Sequence, residues 1–230
     1  FGYADIRYQD NAFNEQLWFV DPDFFDIFSF PITAGNSQPL VQKNQVILEK
    51  AIAKKYFGDS NPIGQSLSLK FRERDKQEFT VSAVFERPNG SSLYPTVLLS
   101  MDSFNDLSPD KTNDWAYQVD GTFIMLRPDH SVNELVPQMK GYVDTQNAAS
   151  PQWLINEYQF HSLNGLRFKS SYIISAVSQG AHPSGLISLG IISGFLLILA
   201  SLNYMNVSIA TVATRLKEIG IRKVIGGQKR

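Results

Sequence analysis

Apolar residues recur at helical spacing near the start of the chain. In the stretch DPDFFDIFSFP, Asp21 is suited to cap a helix and Pro22 to open it, while Phe24 and Phe28 lie one turn apart. The pattern predicts a short helix whose phenylalanines pack in a core, because apolar residues at this spacing usually face inward. An exposed apolar patch for a partner is the alternative.

Between residues 46 and 64 the pattern passes from strand to helix to turn. A β-rich run at 46–48 leads into a helix that places Ile52 and Tyr56 on one face and ends at Gly58. The sequence NPIG, at 61–64, predicts a type I turn because proline and glycine occupy its second and fourth positions.

Alternation of apolar and polar residues follows this turn. The runs 67–71 and 79–85 predict two strands that pair as a hairpin across a charged loop, and GTFIMLRP at 121–128 predicts a further strand. Strand pairs mixed with isolated helices favour an α+β fold over a regular βαβ alternation.

A capping box, Ser131 with Glu134, predicts the start of another helix. Four apolar residues of this helix are expected to face inward: Val132, Leu135, Val136 and Met139. Pro137 lies too deep for that start, so either the helix kinks there or it begins later.

The longest uncharged stretch lies near the C-terminus. No Lys, Arg, Asp or Glu occurs from Ser170 to Thr214, and the apolar segment 185–213 exceeds the roughly 20 residues that a helix needs to cross a bilayer. We therefore predict one transmembrane helix at 185–213, followed by a cytoplasmic segment at 214–230.

Charge is distributed unequally on the two sides of this span. Of 21 basic and 22 acidic residues, six and one lie in 214–230, which leaves 15 and 21 before the span. Basic residues beside a span stay in the cytoplasm, so we expect the tail inside and residues 1–180 outside. The dispersed basic residues of the net negative outer part argue against nucleic-acid binding. Because the chain starts at Phe1, we expect a longer membrane protein with a preceding span.

Residues that usually carry catalysis or bind metals form no recognisable arrangement in the sequence. There is no cysteine, and His130, His161 and His182 have no metal-ligand spacing. Neither GxSxG nor GxxxxGK[ST] occurs. The sequence therefore indicates no catalytic, metal or cofactor site and favours a non-enzymatic role.

The basic tail has more pattern than an electrostatic anchor needs. Glu218 precedes Arg222 by four residues, which is the favourable order on a helix, and Gly226-Gly227 marks a helix end. A structured helix suggests a docking partner, whereas a plain positive-inside anchor requires only charge. Both interpretations are open at this point.

The sequence NYMNVSIATVATRLKEIGIRKVIGG resembles the second transmembrane helix and following cytoplasmic segment of FtsX-like permeases of the MacB type. Their motif E-[IV]-G-[IV]-R-K/R-x-x-G is matched by seven residues: Glu218, Ile219, Gly220, Ile221, Arg222, Lys223 and Gly226. Upstream, VILEKAIAKKYFGDSNPIGQSLSL followed by FTVSAVFE is similar to the extracytoplasmic core domain of the same family, and DPDFFDIFSFPITAG is similar to its opening.

The resemblance implies a two-lobed α+β domain outside the membrane. A porter-like lobe would be formed from both ends of residues 1–180, with a β-rich lobe inserted at roughly 40–120. The resemblance also implies a bacterial inner membrane protein, surrounded by lipid and paired with a second permease unit, as a homodimer, a heterodimer or an internal repeat. An ABC ATPase is implied in the cytoplasm, and an extracytoplasmic adaptor or substrate protein is a further partner that it allows.

We therefore expect a non-catalytic permease subunit of an ABC-type transporter, which couples ATP hydrolysis to motion of the outer domain for export or efflux. Four motif residues are expected to contact the ATPase: Glu218, Gly220, Arg222 and Lys223. In the span, Gly190 and Gly194 would let a neighbouring helix pack closely, and Asn203 and Asn206 would need polar partners in lipid. The alternative is a single-span receptor or sensor with a ligand-binding outer domain.

Overall fold

The computed structural model describes residues 2–40, 42–71, 74–91, 93–112, 114–165 and 182–226. Contacts divide the chain into two units, residues 1–180 and residues 181–230.

Within the described ranges, the first unit contains seven strands: β1 (Gly2–Tyr8), β2 (Asn11–Val20), β3 (Ile32–Gly35), β4 (Gln45–Glu49), β5 (Ser66–Phe71), β6 (Lys76–Phe85) and β7 (Val97–Ser100). The same ranges hold five α-helices of this unit: α1 (Phe24–Ile27), α2 (Lys50–Phe57), α3 (Met101–Leu107), α4 (Val132–Leu135) and α5 (Lys140–Ala149). Short 3₁₀ helices lie at Val136–Met139 and Leu163–Gly165. The α+β class predicted from the sequence is confirmed.

The seven strands form one sheet in the order β3-β6-β4-β7-β2-β1-β5, and β5 also pairs with β6. This additional pairing closes six of the strands into a ring, because the first half of β6 bonds β5 and the second half bonds β4. The ring is mixed, since β2 runs parallel to β7 and β4 runs parallel to β6, whereas the other pairs are antiparallel.

Side chains alternate between the two faces of the sheet and so form two separate cores. One core collects fully buried residues such as Leu17, Leu67 and Phe79, and α2 packs Tyr56 and Phe57 against it. The other core lies on the opposite face and contains three phenylalanines of the α1 region together with two strand residues: Phe24, Phe28, Phe30, Ile47 and Phe85. The core assignment of the phenylalanines is therefore confirmed, and the exposed patch is not.

Local sequence signals are confirmed around α2. The strand β4 leads directly into α2, whose N-cap Glu49 accepts a hydrogen bond from the Ala51 backbone N–H, and Gly58 ends the helix at a φ of 61°. The hairpin of β5 and β6 is also present and antiparallel.

One helix cap and one turn differ in detail from the prediction. The helix α1 begins at Phe24 with Asp23 as its N-cap, because the Phe24 N–H bonds the Asp21 carbonyl and so closes a turn before the helix. The hydrogen-bonded turn spans 62–65 rather than 61–64. Gly64 occupies its third position at a φ of 82°, which is the geometry of a type II turn.

The predicted strand at 121–128 is wrong, since this segment has no regular structure. Phe123 packs against the second core, but Ile124 and Met125 are 48% and 67% exposed. Alternation alone does not make a strand, because a strand also needs a neighbouring edge to bond.

The helix with the capping box begins as predicted, with the Ser131 N–H donating to Glu134 Oε1 at 3.2 Å. Pro137 lies in the 3₁₀ segment between α4 and α5, so the first alternative, a helix interrupted at the proline, is confirmed. The expected inward orientation is wrong for Val132 and Val136, which are exposed.

The β-rich lobe was expected to begin near residue 40. The sheet also includes β1 and β2, which precede that position and pair with β5 and β7. The strand pairing therefore does not separate a lobe at residue 40, and the lobe boundaries at 40 and 120 stay a prediction.

The described residues of the second unit form one long helix, α6 (Pro183–Val224). His182 is its N-cap and accepts a hydrogen bond from the Ser184 backbone N–H, while Pro183 occupies the first position, where a missing donor costs nothing. The predicted single apolar C-terminal helix is confirmed.

Candidate membrane span and coupling segment

The helix α6 is long enough to cross a membrane and to continue beyond it. Its 42 residues extend about 63 Å at ~1.5 Å per residue. Its most apolar window of 18 residues has a mean hydropathy of 2.3. None of that window is buried by the rest of the described chain. The apolar surface of the helix is therefore presented entirely outward.

Two serine hydroxyl groups of the span are satisfied within the helix itself. Ser193 and Ser201 donate to the carbonyls of Leu189 and Leu197 at 2.8 Å. Such bonds to the preceding turn let a hydroxyl lie in lipid without an unpaired donor. These serines therefore need no other chain.

The two asparagines of the span are different. The Asn203 and Asn206 side-chain amides have no hydrogen-bond partner among the described residues, and both side chains are exposed. An amide cannot reach back along its own helix as readily as a hydroxyl, and an unpaired amide in hydrocarbon is costly.

Gly190 and Gly194 lie about 40° apart around the helix axis, because successive residues are separated by about 100°. A Cβ added at either glycine would meet nothing within 4 Å. By the same geometry, Asn203 and Asn206 lie on nearly the opposite side of α6. The structure therefore groups the four predicted packing residues into two faces.

The four residues that the sequence motif predicts to contact an ATPase also lie within α6, in its last two turns. Glu218 and Arg222 form no ion pair with each other in the described chain, so both charges are presented outward. Gly220 lies about 160° around the axis from either of them, whereas Lys223 is only about 60° from Gly220. The motif thus forms two opposite faces, a glycine face and a face of opposite charges.

The glycine face carries a shallow apolar depression centred on Gly220. Its border is formed by four other residues: Lys217, Ile221, Val224 and Ile225. The sequence motif singles out Gly220 but not Lys217 or Val224, which belong to the depression because they lie one turn before and after the glycine. That helical spacing is the signal that would have identified them.

The helix α6 ends where the double glycine predicts. Gly226 has a φ of 87°, which favours glycine, and the Ile225 N–H bonds the Ile221 carbonyl at 3.0 Å. Arg222 and Lys223 lie in the last turn, where positive charge complements the helix dipole. Gly227, Lys229 and Arg230 lie outside the described residues.

Among the described residues of the first unit, no three His, Asp or Glu side chains lie close enough together to bind a metal ion. His130 Nδ1 lies 2.8 Å from Glu134 Oε2, and this contact lowers the pKa of Glu134 together with its bonds to Ser131. This exposed pair stabilises the start of α4.

An α+β domain followed by a helix of this length and hydropathy is the arrangement of a membrane-anchored protein. Residues 2–142 match the sequence model of the family described as MacB-like periplasmic core domain. This match covers more than half of the chain, and the chain belongs to that family. Family membership and α6 together place it in the inner membrane, with an extracytoplasmic segment, as part of an FtsX/MacB-type permease.

Two curated relatives are the macrolide export ATP-binding/permease proteins MacB of Neisseria meningitidis, from serogroup A and serogroup B strains. Each is 20% identical over 231 residues, covering 97% of this chain. The chain spans 32% of the length of these relatives.

Three solved structures are similar in fold. A domain of a permease protein from Porphyromonas gingivalis has a TM-score of 0.48 at 18% identity, covering 72% of this chain and 75% of that one. The extracellular domain of the noncanonic ABC-type transporter YknZ from Gram-positive bacteria gives 0.45 at 18%, with coverage of 70% and 77%. The periplasmic region of MacB from Actinobacillus actinomycetemcomitans gives 0.41 at 14%, with coverage of 64% and 63%.

Proposed function

We propose that this chain belongs to a non-catalytic permease subunit of an ABC-type transporter, in which α6 transmits motion between a cytoplasmic ABC ATPase and the outer domain for export or efflux. The observation that carries the proposal is Gly220 inside an unbroken helix. A glycine within a helix costs roughly 1 kcal/mol relative to alanine, and nothing in the described chain lies close enough to require one. Close approach by another chain accounts for it.

Continuity of α6 supports the mechanical part of the proposal. The last two turns, which hold the coupling motif, and the apolar window belong to the same helix of 42 residues. A helix without a proline or a break in its interior moves as one rod, because its backbone hydrogen bonds are continuous. A push on the motif would therefore reach the outer end of the span.

The two faces of the motif set the shape of the partner. An ATPase surface that docks on one side only would contact Gly220 and Lys223 and miss Glu218 and Arg222. We infer a cleft that receives the end of the helix, with an apolar wall against the depression and charged groups opposite. Arg222 suits such a wall, because its planar guanidinium can bind a carboxylate with two hydrogen bonds.

The two faces of the span have a similar consequence. Gly190 and Gly194 would accept the backbone of one neighbouring helix, while Asn203 and Asn206 would bond polar groups of another on the opposite side. We infer that α6 lies between two other helices of the permease or of a second permease unit. Its remaining surface contacts lipid.

The coupling role is tested by Gly220→Leu in the permease reconstituted with its ATPase. The leucine keeps every charge but fills the depression, so we expect loss of permease-stimulated ATP hydrolysis of about tenfold, with normal insertion and abundance. Arg222→Glu is expected to act in the same direction. Gly185→Leu makes the identical change near the other end of the same helix, where an added Cβ also meets nothing within 4 Å, and is the matched control. Full coupling in the Gly220→Leu variant would leave only the plain-anchor interpretation.

A second experiment tests the separation of the two span faces. Gly194→Leu and Asn206→Leu should each weaken association of the permease helices, as measured by cross-linking in membranes. Because they act on different neighbours, the effects of the two substitutions should add in the double variant. A double variant no worse than either single variant would contradict two separate contacts.

A further inference from the structure

A cleft of about 290 Å³ opens on the surface of the first unit. It lies where the end of β2, the helix α1, the start of α3 and the connection at 117–123 meet. Most of its lining is aromatic or acidic: Trp18, Phe19, Phe24, Phe28, Phe104, Tyr117, Phe123, Asp21, Asp23 and Asp120.

Aromatic rings form the walls of this cleft and hold one another in place. Phe104 lies between two of them, with its ring centroid 5.4 Å from Phe19 in an edge contact and 5.7 Å from Tyr117 in a stacked one. On the other side, the Phe28 and Phe123 rings meet edge to face at 5.0 Å. These contacts fix the ring orientations, so the cleft is largely preformed.

The charged residues that line the cleft are all acidic. Three aspartates line it, and none of the described lining residues is Lys or Arg. The carboxylates of Asp21 and Asp23 form no ion pair or hydrogen bond with other described residues. Burial, and the nearby carboxylate of Asp120, raise the pKa of Tyr117, which reflects the low polarity and negative potential of this wall. An anion would be repelled here and a cation attracted.

The structure already contains one ammonium group against this aromatic wall. Lys111 Nζ lies 4.9 Å from the centroid of the Tyr117 ring, within the range of a cation–π contact. One ring of the wall, Tyr117, therefore accepts a positive charge in the geometry that this protein adopts.

We propose that the cleft binds a small organic cation, an ammonium group carried on an apolar body. The apolar body would lie between the Phe19, Phe28 and Phe104 side chains, and the ammonium would face the aspartates at the rim. The volume suits a ligand at the small end of the range for such sites, about the size of a single ring with a charged arm. This site is independent of the coupling role proposed for α6.

The proposal is tested by isothermal titration calorimetry. Benzyltrimethylammonium is titrated into the full chain in a non-ionic maltoside detergent, and the same titration into detergent alone is the blank. We expect saturable 1:1 binding, with a dissociation constant of about 0.1 to 1 mM. Phenylacetate and benzyl alcohol, which have the ring without a positive charge, should bind at least about tenfold more weakly. Raising the salt concentration should weaken binding of the cation, because the rim charges are exposed to solvent.

The carboxylates are tested by the double variant Asp21→Asn/Asp23→Asn, which keeps side-chain size. It should raise the dissociation constant of benzyltrimethylammonium by roughly five- to tenfold. The matched control is Asp59→Asn/Asp75→Asn, which removes two exposed aspartates away from the cleft and should leave binding unchanged. Unaltered thermal unfolding of both variants would establish that the fold is retained.

Three results would overturn the proposal. One is the lack of saturable binding of the cation at concentrations up to about 10 mM. Another is equal binding of benzyl alcohol and benzyltrimethylammonium, which would reduce the cleft to an apolar surface. The third is an equal loss of affinity in the cleft variant and the control variant, which would indicate only an effect of net charge.

Discussion

Lys55 Nζ lies 2.6 Å from Glu15 Oε1, and the Glu15 side chain is only 10% exposed. Tyr56 Oη also reaches Glu15 Oε1, at 3.4 Å, and the Lys55 ammonium lies 4.0 Å from the Phe13 ring centroid. These contacts join α2 to β2, over a sequence separation of 40 residues. The closed sheet is thus connected to its helix by one nearly buried polar network.

Glu15→Ala should lower the free energy of unfolding by about 2 kcal/mol, because it removes the nearly buried carboxylate that both the Lys55 ammonium and the Tyr56 hydroxyl contact. The value is below the ~3–5 kcal/mol typical of a fully buried pair, since Lys55 is 38% exposed. The measurement is urea unfolding in maltoside detergent, followed by near-ultraviolet circular dichroism. Glu86→Ala is the control, because it breaks the exposed Lys50–Glu86 pair and should cost at most about 0.5 kcal/mol. Equal losses would contradict the buried network.

Stability should also fall at high pH because of Tyr56. Burial, and then the Glu15 carboxylate, raise the pKa of the Tyr56 phenol well above its usual value of 10.0. Since the folded state binds this proton more tightly than the unfolded state, the contribution is complete below pH 10 and is lost as pH rises beyond it.

Measuring unfolding free energy from pH 7 to pH 11 should therefore reveal a decline above about pH 10. Tyr56→Phe cannot ionise and should have a shallower decline, although it is less stable at neutral pH through the loss of its hydrogen bonds. Tyr3→Phe, at an exposed tyrosine, should keep the decline of the parent protein. An identical pH profile in the Tyr56→Phe and Tyr3→Phe variants would argue against this assignment.

Gly35 is required by the backbone at the edge of the sheet. It has a φ of 90°, and a Cβ at this position would lie 2.3 Å from the Ser82 carbonyl oxygen and 2.8 Å from the Ala83 Cα. Gly35→Ala should cost about 3 kcal/mol, because strain in the left-handed region adds to a clash with backbone that cannot move aside.

Gly58→Ala separates these two costs. Gly58 has a φ of 61° and a ψ of −123°, but a Cβ added there would meet nothing within 4 Å, so only the conformational penalty of about 2 kcal/mol should appear. Unfolding of the two variants under the same conditions provides the comparison. A Gly35→Ala variant no less stable than Gly58→Ala would mean that β3 relaxes away from β6.

Local signals account for the parts of the fold that the sequence predicted well. The β4–α2 unit and α6 were predictable, because a cap, a period and a glycine stop lie within a few residues of each other. The closed sheet was not, because Leu17 pairs with Val97, which is distant in the sequence, and no local pattern records that partner. The wrong strand at 121–128 has the same origin, since its alternation gave no information about an available edge.

The candidate sites, likewise, were predictable only where a local motif marks them. The motif identified Gly220 and Arg222, but only helical geometry reveals that they lie on opposite faces of α6. The aromatic cleft was missed because its lining comes from three distant segments, and phenylalanines such as Phe24 and Phe28 are equally well explained as core. Asp21 was considered only as a helix-capping group and Asp23 was not considered, and the position of both beside the rings depends on the tertiary fold.

Orientation in the membrane follows from the six basic residues after the span and the acidic excess before it. If Lys and Arg keep the C-terminal end of α6 in the cytoplasm, the first unit is accessible from outside the cell membrane and the motif is not.

The chain contains no cysteine, so single cysteines can report each side. We choose Ser60→Cys, on the exposed turn after α2, and Ile225→Cys, which is 80% exposed at the end of α6. In intact spheroplasts, an impermeant maleimide should label the cysteine at position 60 and leave the one at position 225 unmodified. After permeabilisation both should react, which controls for accessibility within the fold. Labelling at position 225 alone in intact spheroplasts would reverse the orientation and remove the basis for contact between Gly220 and a cytoplasmic ATPase.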